Sequence, residues 1–479
     1  MRPFTAARAL TAARAFTAAR ALTAAQAVAA AVVVARLARG RNRLPPLRPV
    51  LHPPATTTTA TADITATDAA GPARNEQAAP DTAARATPAA PAIDISVVIP
   101  ARDEAARIGP CLMAVSNDPA VAEVIVVDDG SRDGTGELAA SMGATVVTGA
   151  PLPEGWVGKQ WALRQGVAAA RGRVVVTLDA DARPEPGLVG ALVRALDDYD
   201  LVSAAPRFAC DGALEQALHA AMLATLVYRF GPVGPAKPPP PHRVIANGQC
   251  LAFRREAMAA ADGFGAVREK MTDDVALARH LAGRGWRVGF LDAGALLEVD
   301  MHDSAAELWR EWGRSLPLHD VTDPVRQAAD LAVVWLTAGL PVLRLAFGRP
   351  AVLDVALLAG RLLLTGALRG SYSRPGLGLL LSPLLDPAAA ARLTQATLRP
   401  VRTWRGRTYP PDRVGAQGTV GSPDPVSSPG SGGRPGSVNA AYPRTRPDPV
   451  EPTGPGNPGG PGGVSGGGSS GRPGRSGAR

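Results

Sequence analysis

Short apolar runs alternate with helical patterns between residues 95 and 182, and this alternation constrains the fold more than any other feature. The runs are Ile95 to Pro100, Glu123 to Asp128, Ala144 to Thr148 and Arg173 to Leu178. Continuous β-branched runs are typical of strands buried on both faces of a parallel sheet. Strand–helix alternation at this spacing predicts right-handed βαβ units. We therefore expect an α/β fold with a doubly wound, mostly parallel sheet.

Acidic clusters follow two of these strands directly. Asp128 and Asp129 close the second run, and Asp179 and Asp181 follow the fourth. In doubly wound sheets ligands bind outside the carboxyl ends of the strands. Residues two apart at a strand end can point to the same side, so Asp179 and Asp181 could converge on one site. Oxygen-only ligands favour Mg²⁺ or Mn²⁺, which keep waters and bridge to substrate phosphates.

Each cluster also has a purely structural alternative. Two carboxylates two residues apart are common in solvated loops, and Asp, Gly and Ser after a strand favour a turn. A turn needs only one aspartate, however, and here two follow a run of apolar residues. A carboxylate of Asp128 or Asp129 could accept a hydrogen bond from a uracil-type base or a ribose hydroxyl.

Four motifs resemble, in order, the nucleotide-binding half of family 2 glycosyltransferases. They are ISVVIPARDE (95–104), VIVVDDGSRDGT (124–135), GKQWALRQG (158–166) and LDADA (178–182). The resemblance covers about residues 93–320. It implies a Rossmann-like GT-A domain that binds a nucleotide-sugar donor.

The resemblance assigns the pocket for the nucleotide to the first two motifs. Pro100, Arg102 and Glu104 would line this pocket. Either Asp128 or Asp129 would contact the base or the ribose, and Asp129 is the favoured one of the two.

The other two motifs would hold the diphosphate and the cation. The resemblance makes Asp181 a metal ligand and Asp179 a ribose contact or second metal ligand, for Mg²⁺ or Mn²⁺. Lys159 would lie near the diphosphate as a point charge. The alternative for Lys159 is a solvated position on a helix.

The segment from Met271 to His280 resembles the xED motif of the family, at the start of a helix. Asp273 replaces the usual glutamate, and Asp274 matches the position of the catalytic base. Inversion at the anomeric carbon needs a base that takes the proton of the acceptor hydroxyl. The alternative is an acidic pair that the helix macrodipole favours.

Residues 308–314 lie where processive members of the family carry a QxxRW motif. Trp312 matches the motif, but Glu311 replaces its arginine, which puts processive polymer synthesis in doubt. We expect Arg314, or else Arg310, to neutralise the departing diphosphate. Trp312 would face the acceptor, although it could equally be a core residue.

The acceptor is predicted to be a lipid. The segment GWVGKQWA (155–162), together with the apolar helices that follow the domain, looks like the branch that acts on carotenoid or hopanoid-type lipids. We place Asn247 and Gln249 on the acceptor side, after a proline-rich loop. The apolar helix predicted from Ala213 to Phe230 either flanks the acceptor path or belongs to the core.

These observations predict an inverting transfer of a hexose from a UDP-sugar or GDP-sugar to an apolar lipid. The alternatives in the same class are polyprenyl-phosphate and polysaccharide glycosyltransferases. A nucleotidyltransferase would need a basic or glycine-rich phosphate loop after the first strand, where ARDEAARIG is acidic. An inactive membrane scaffold would have lost the carboxylates, and all three acidic sites are present.

Composition divides the rest of the chain, because Gly and Pro are most frequent per residue in the segment from residue 415 onward. We predict an Ala/Arg repeat with a weak membrane anchor in residues 1–43, or else a mis-assigned start. A disordered linker (44–92), the catalytic domain (93–323), apolar helices (324–400) and a disordered tail (401–479) follow.

The apolar helices predict attachment to the cell membrane. Leu331 to Phe347 is apolar apart from Arg344, and Pro350 to Leu368 is apolar apart from Asp354 and Arg361. Each internal charge costs about 2.5–3.5 kcal/mol on insertion scales, so these are marginal spans. Arginines at positions 36, 39, 41 and 43 predict a catalytic domain that faces the cytoplasm. The chain has a net charge of +9, but it carries no nucleic-acid-binding motif. We therefore expect anionic lipid rather than nucleic acid as the partner of its basic residues.

Overall fold

The computed structural model describes residues 3–51, 94–300, 302, 304–400, 402–404 and 407–409. All of these residues belong to one compact unit, Met1–Val414. The greater part of the predicted linker (52–92) and the predicted tail from residue 410 onward lie outside the described residues.

The strands and helices below are numbered in chain order. The strands are β1 Ile95–Ala101, β2 Glu123–Asp128, β3 Thr145–Thr148, β4 Val174–Leu178, β5 Ala182–Pro184, β6 Leu201–Ala205, β7 Arg207–Phe208, β8 Cys250–Arg254, β9 Val288–Asp292, β10 Leu297–Val299, β11 Thr403–Trp404 and β12 Arg407–Thr408. The helices are α1 Pro3–Ala38, α2 Ile108–Ser116, α3 Thr135–Ser141, α4 Gly158–Ala169, α5 Leu188–Ala195, α6 Ala213–Phe230, α7 Arg255–Ala260, α8 Gly263–Ala266, α9 Asp273–Gly283, α10 Ala305–Ser315, α11 Pro324–Val334, α12 Leu340–Ala346, α13 Val352–Leu368, α14 Leu377–Leu381 and α15 Asp386–Leu398.

The main sheet has seven strands in the order β3-β2-β1-β4-β8-β6-β9. Strands β3, β2, β1 and β4 run parallel to one another, β8 is antiparallel to both β4 and β6, and β6 pairs in parallel with β9. A second, smaller sheet has three strands in the order β5-β10-β7. The prediction of an α/β fold with a mostly parallel sheet is confirmed.

Helix α4 packs closely on the parallel strands because its surface carries a glycine. A Cβ atom on Gly166 would lie 2.3 Å from Val98 Cγ1 and 2.9 Å from Val127 Cγ2, which are overlapping distances. The helix can therefore approach the middle of the sheet. This approach holds the N-terminus of α4, at Gly158 and Lys159, beside the carboxyl ends of β2 and β4.

The helices after the sheet domain bury the charges that make them poor membrane spans by composition. Arg361 and Asp386 are 1% and 2% exposed, and Arg361 Nε lies 2.9 Å from Asp386 Oδ2. Asp354 is fully buried and accepts hydrogen bonds from Gln26 Nε2 at 2.6 Å and from Arg344. These charges therefore face protein partners rather than the outer surface of the helices.

Among the described residues, two helical stretches are long and apolar enough to cross a membrane. They are Phe16–Asn42 and Pro324–Ala346, and by length and composition alone they are a weak indication. Exposed apolar side chains cluster on α13 and α14, including Leu362, Leu363 and Leu380.

Residues 44–51 differ from the predicted disordered linker, because they run along the sheet domain. Leu44 N donates to Gly234 O at 2.8 Å, and Leu47 N donates to Asp292 O at 2.8 Å. Val50 N donates to Gly187 O at 3.1 Å. Leu44, Leu47 and Val50 also pack on the core, so burial of their apolar side chains offsets the ordering entropy that the composition argument assigned to this segment.

Candidate active site

One cavity of about 640 Å³ opens at the carboxyl ends of the parallel strands. Most of the predicted site residues line it: Pro100, Arg102, Glu104, Asp129, Lys159, Asp179, Asp181, Asn247, Gln249, Asp273, Asp274 and Trp312. The three acidic sites, far apart in the sequence, therefore meet in one cleft.

An ion pair links the DxD segment, Asp179-Ala180-Asp181, to helix α4. Lys159 Nζ lies 2.7 Å from Asp179 Oδ1. Burial opposes the charge on Lys159, but the carboxylates of Asp179 and Asp273 outweigh it and raise the pKa of the ammonium. Lys159 is therefore a fixed positive charge inside the cavity, not a solvated helix residue.

The second DxD carboxylate has the properties of a cation ligand. Asp181 Oδ1 is buried and has no hydrogen-bond partner among the described residues. Burial, together with Asp179 and Glu104, raises the pKa of Asp181 to about 7. A divalent cation would relieve both the missing partner and the repulsion between carboxylates. Within the described part of the chain, no three His, Cys, Asp or Glu side chains form a metal cluster. Mg²⁺ is usually bound through one or two carboxylates together with substrate phosphates.

The two aspartates after β2 have different surroundings. The carboxylate of Asp128 accepts a hydrogen bond from Ser131 N at 2.8 Å and packs on Gly136, so it closes the turn and does not line the cavity. Asp129 is 6% exposed and does line the cavity. Arg102 Nη1 donates to Asp129 O at 2.5 Å, which joins the loop after β1 to this site.

Asp274 lies in the first turn of α9, as the sequence predicts. Its Oδ2 accepts a hydrogen bond from Gly248 N at 2.9 Å, and its Oδ1 accepts one from Val275 N at 2.7 Å. Burial, together with the neighbouring Asp273 carboxylate, raises the pKa of Asp274 to about 7. A carboxylate with this pKa can take up a proton near neutral pH.

The loop from Asn247 to Gln249 connects the DxD segment with Asp274. Asn247 Nδ2 donates to Gln249 Oε1 at 2.9 Å, and Asp179 N donates to Gln249 O at 2.9 Å. A Cβ atom on Gly248 would lie 3.0 Å from Asp274 Cβ, so a small residue is needed at this position. Both predicted acceptor residues thus line the cavity beside the candidate base.

Trp312 is at once a core residue and a cavity wall. It is 7% exposed, and its ring lies 4.5 Å from the ring of His219, centroid to centroid. Burial and the neighbouring His302 lower the pKa of His219 to about 3, so its imidazole is neutral and packs as an aromatic ring. The side chain of Arg314 lies outside the described residues, and Arg310 is exposed on α10.

Part of the cavity lining is apolar. Leu223, Leu226 and Val227 of α6 and Leu364 and Leu368 of α13 contribute to it. The cavity therefore combines carboxylates of the sheet domain with aliphatic side chains from two helices.

Three residues that the sequence interpretation missed contribute to the site. Arg407 Nη1 lies 2.5 Å from Asp129 Oδ2, and Tyr409 Oη accepts a hydrogen bond from Gly158 N at 3.2 Å. Asp320 Oδ2 accepts a hydrogen bond from Met271 N at 2.7 Å and so holds the turn before α9. The predicted disordered tail is therefore wrong for residues 402–404 and 407–409, where the aromatic and basic run TWRGRTY was an available signal.

Comparison with protein families identifies the sheet domain. Residues 96–260 match the family described as Glycosyl transferase family 2. The chain carries a family 2 glycosyltransferase domain. The match spans β1 to α7, and it includes both acidic strand ends, Lys159 and the loop at Asn247.

Among the relatives of this glycosyltransferase domain is 4,4'-diaponeurosporenoate glycosyltransferase of Staphylococcus aureus. It is 41% identical over 88 residues, which are 18% of this chain and 24% of the relative. The chain thus matches about a quarter of that relative's length.

Similar solved structures also contain nucleotide complexes. Glucosyl-3-phosphoglycerate synthase from Mycobacterium tuberculosis, in complex with Mn²⁺, UDP and glucosyl-3-phosphoglycerate, is 25% identical over 48% of this chain and 81% of that chain, with a TM-score of 0.33. A mannosyltransferase from Pyrobaculum calidifontis, in complex with GDP-Man and Mn²⁺, is 21% identical over 64% of this chain and 87% of that chain, with a TM-score of 0.40.

Proposed function

We propose that this chain is an inverting, membrane-associated glycosyltransferase that moves a hexose from a UDP-sugar or GDP-sugar to an apolar lipid. The observation that carries the proposal is a cavity that combines charged and aliphatic side chains. Asp129, Lys159 and Asp181 line it together with aliphatic side chains of α6 and α13. Those aliphatic side chains could bury the hydrocarbon of a lipid acceptor.

The donor would bind beside Asp129, Lys159 and Asp181. Asp181, with Asp179, would hold a Mg²⁺ or Mn²⁺ ion that neutralises charge on the diphosphate. Lys159 adds a fixed positive charge next to Asp179. Asp129, beside Arg102, would contact the base or ribose.

Asp274 would act as the base. It would accept the proton of the acceptor hydroxyl while the acceptor oxygen bonds to the anomeric carbon and the bond from that carbon to the diphosphate breaks. Its raised pKa, caused by burial and Asp273, suits proton uptake near neutral pH. An acceptor carboxylate would not need this proton transfer.

A carotenoid or related terpenoid is the acceptor class that we favour. The relative in S. aureus is named as a 4,4'-diaponeurosporenoate glycosyltransferase, and the aliphatic side chains that line the cavity suit an extended hydrocarbon. The exposed apolar side chains of α13 and α14 would dip into the membrane from which such a lipid comes. The arginines of residues 36–43 support an orientation toward the cytoplasm.

The test measures the release of UDP or GDP from sugar nucleotides with Mn²⁺, with and without a carotenoid-containing lipid extract. Lipid-dependent release, with a glycosylated lipid detected by mass spectrometry, is expected. Transfer to water-soluble acceptors alone would contradict the lipid assignment, and release of pyrophosphate would indicate a nucleotidyltransferase.

A further inference from the structure

A short hairpin that follows helix α15 contacts Asp129, which lines the cavity. Strands β11 and β12 pair antiparallel, with Trp404 opposite Arg407, and Tyr409 N donates to Arg402 O at 2.9 Å. The pairing brings Arg407 to Asp129, which lies 278 residues earlier in the chain.

Two groups that a nucleotide would use are in contact with this hairpin. Arg407 Nη1 lies 2.5 Å from Asp129 Oδ2, and Tyr409 Oη accepts the hydrogen bond of Gly158 N at 3.2 Å. A Cβ atom at Gly158 would lie 2.9 Å from Arg407 Nη1 and 3.3 Å from Tyr409 Oη. The start of α4 therefore needs a glycine for the hairpin to fit.

Positively charged groups approach Asp129 from two sides. Arg102 Nη1 lies 3.8 Å from Asp129 Oδ2, so two guanidinium groups approach one carboxylate. The N-terminus of α4, with the positive end of its helix dipole, lies beside them. These groups could contact a bound diphosphate.

The contact leaves part of Asp129 available. Arg407 and Arg102 both approach Oδ2, and among the hydrogen bonds of the described residues none is to Oδ1. Oδ1 can therefore accept a hydrogen bond from a base or ribose while Oδ2 stays on Arg407.

We propose that the paired segments 402–404 and 407–409 are part of the donor site, with Arg407 as a positioning residue that orients Asp129 toward the nucleoside and Tyr409 as the anchor at Gly158. This inference rests on the proposed use of the cavity for a nucleotide-sugar. It assigns recognition of the donor in part to a segment outside the family 2 domain.

The test measures binding of UDP and GDP, each with Mn²⁺, to the full chain by calorimetry. Arg407→Ala should raise the Kd of whichever nucleotide the wild type binds about tenfold or more, the usual loss for a hydrogen bond to a charged group. The KM for the donor should rise similarly, with kcat within about twofold of wild type. Thr408→Ala, on the exposed side of the same hairpin, is the matched control and should bind like wild type.

A double-mutant comparison separates positioning from direct contact. In an Asp129→Asn background, Arg407→Ala should have a much smaller effect on Kd, because Arg407 acts through that carboxylate. An equal loss in both backgrounds would overturn the positioning role. Unfolding midpoints of all variants check that each one folds, and Tyr409→Phe, which keeps the ring, should weaken nucleotide binding as a second, milder variant.

The outcomes also separate this inference from the proposed function. If the wild type binds UDP or GDP and Arg407→Ala binds it equally well, the inference is wrong and the proposed function stands. Tighter binding by Arg407→Ala would mean that the hairpin competes with the nucleotide, and it would overturn the inference. If the wild type binds neither nucleotide, the proposed function and this inference both fail.

Discussion

Two parts of the cavity lining are built in different ways. The carboxylate-bearing part, which we propose binds the donor and call the donor end, is formed at the ends of β1, β2 and β4 and at the starts of α4 and α9, all within the sheet domain. The aliphatic part, which we call the apolar end, is formed by α6 and by α13, which is separated from α6 by more than a hundred residues of chain. Short acidic motifs thus define the first part, whereas helix packing defines the second. Changes in the two parts should therefore affect different steps.

The largest effect is expected from the candidate base, Asp274. Asp274→Asn removes the base but keeps the shape of the side chain, so transfer to a hydroxyl acceptor should fall by about 10²–10⁴-fold. Binding of UDP or GDP should stay within about twofold of wild type. Turnover near the wild-type rate with a hydroxyl acceptor would show that Asp274 is not the base.

The apolar end depends on a buried ion pair for its stability. Arg361→Met leaves Asp386 buried without its partner, which should lower the free energy of unfolding by about 3–5 kcal/mol. The matched control is Arg326→Met in the exposed pair with Asp323, where a change of about 0–1 kcal/mol is expected. Denaturant unfolding in detergent measures both, and equal changes would mean that burial of the pair is unimportant.

The donor end is tested by the carboxylate that lacks a partner. Asp181→Ala should weaken binding of the nucleotide in the presence of Mn²⁺ by about a hundredfold, because the cation loses a ligand. Without metal, the variant and the wild type should bind the nucleotide alike. Calorimetry with Mn²⁺ and with EDTA distinguishes the two cases, and a loss that persists in EDTA would argue against a metal role.

The apolar wall is tested by shortening one side chain. Leu226→Ala should raise the KM for the lipid acceptor about tenfold, in line with the loss of about 1.5 kcal/mol or more of apolar burial. Its effect on nucleotide binding should be negligible. Leu214→Ala, an exposed change on the same helix, is the control. A rise in the donor Kd for Leu226→Ala would show that the apolar end also affects binding of the donor.

The smallest effect is expected from pH. The pKa of Asp274 is raised to about 7 by burial and by Asp273, and only the deprotonated form can accept a proton. With saturating Mn²⁺, kcat/KM for a hydroxyl acceptor should thus be about half of its alkaline plateau near pH 7 and fall further as the pH decreases. A flat profile from pH 6 to pH 8 would contradict this assignment.

Much of the donor end was predictable because its information is local. β-branched runs predict the strands, and the strand ends place Asp129, Asp179 and Asp181 on one edge of the sheet. The start of α9 at Asp273 also follows from a local pattern. The roles of these residues in binding and catalysis remain predictions, whereas the α/β fold and the family 2 domain are confirmed.

Other features could not be predicted because they depend on partners far along the chain. Asp128 and Asp129 are adjacent in sequence, yet only packing decides that Asp128 closes a turn while Asp129 lines the cavity. Composition made residues 44–51 a linker and residues 402–409 a tail, because composition does not include the surface on which a segment packs.

The amino-acid sequence alone predicted the first four strands, the helices between them and the positions of the acidic strand ends, since these follow from backbone periodicity. Only the tertiary structure decided that Arg361 faces Asp386 and that Arg407 returns to Asp129. The physical reason is that burial and ion pairing join groups distant in the chain, and their free energies depend on the surroundings that the whole fold creates.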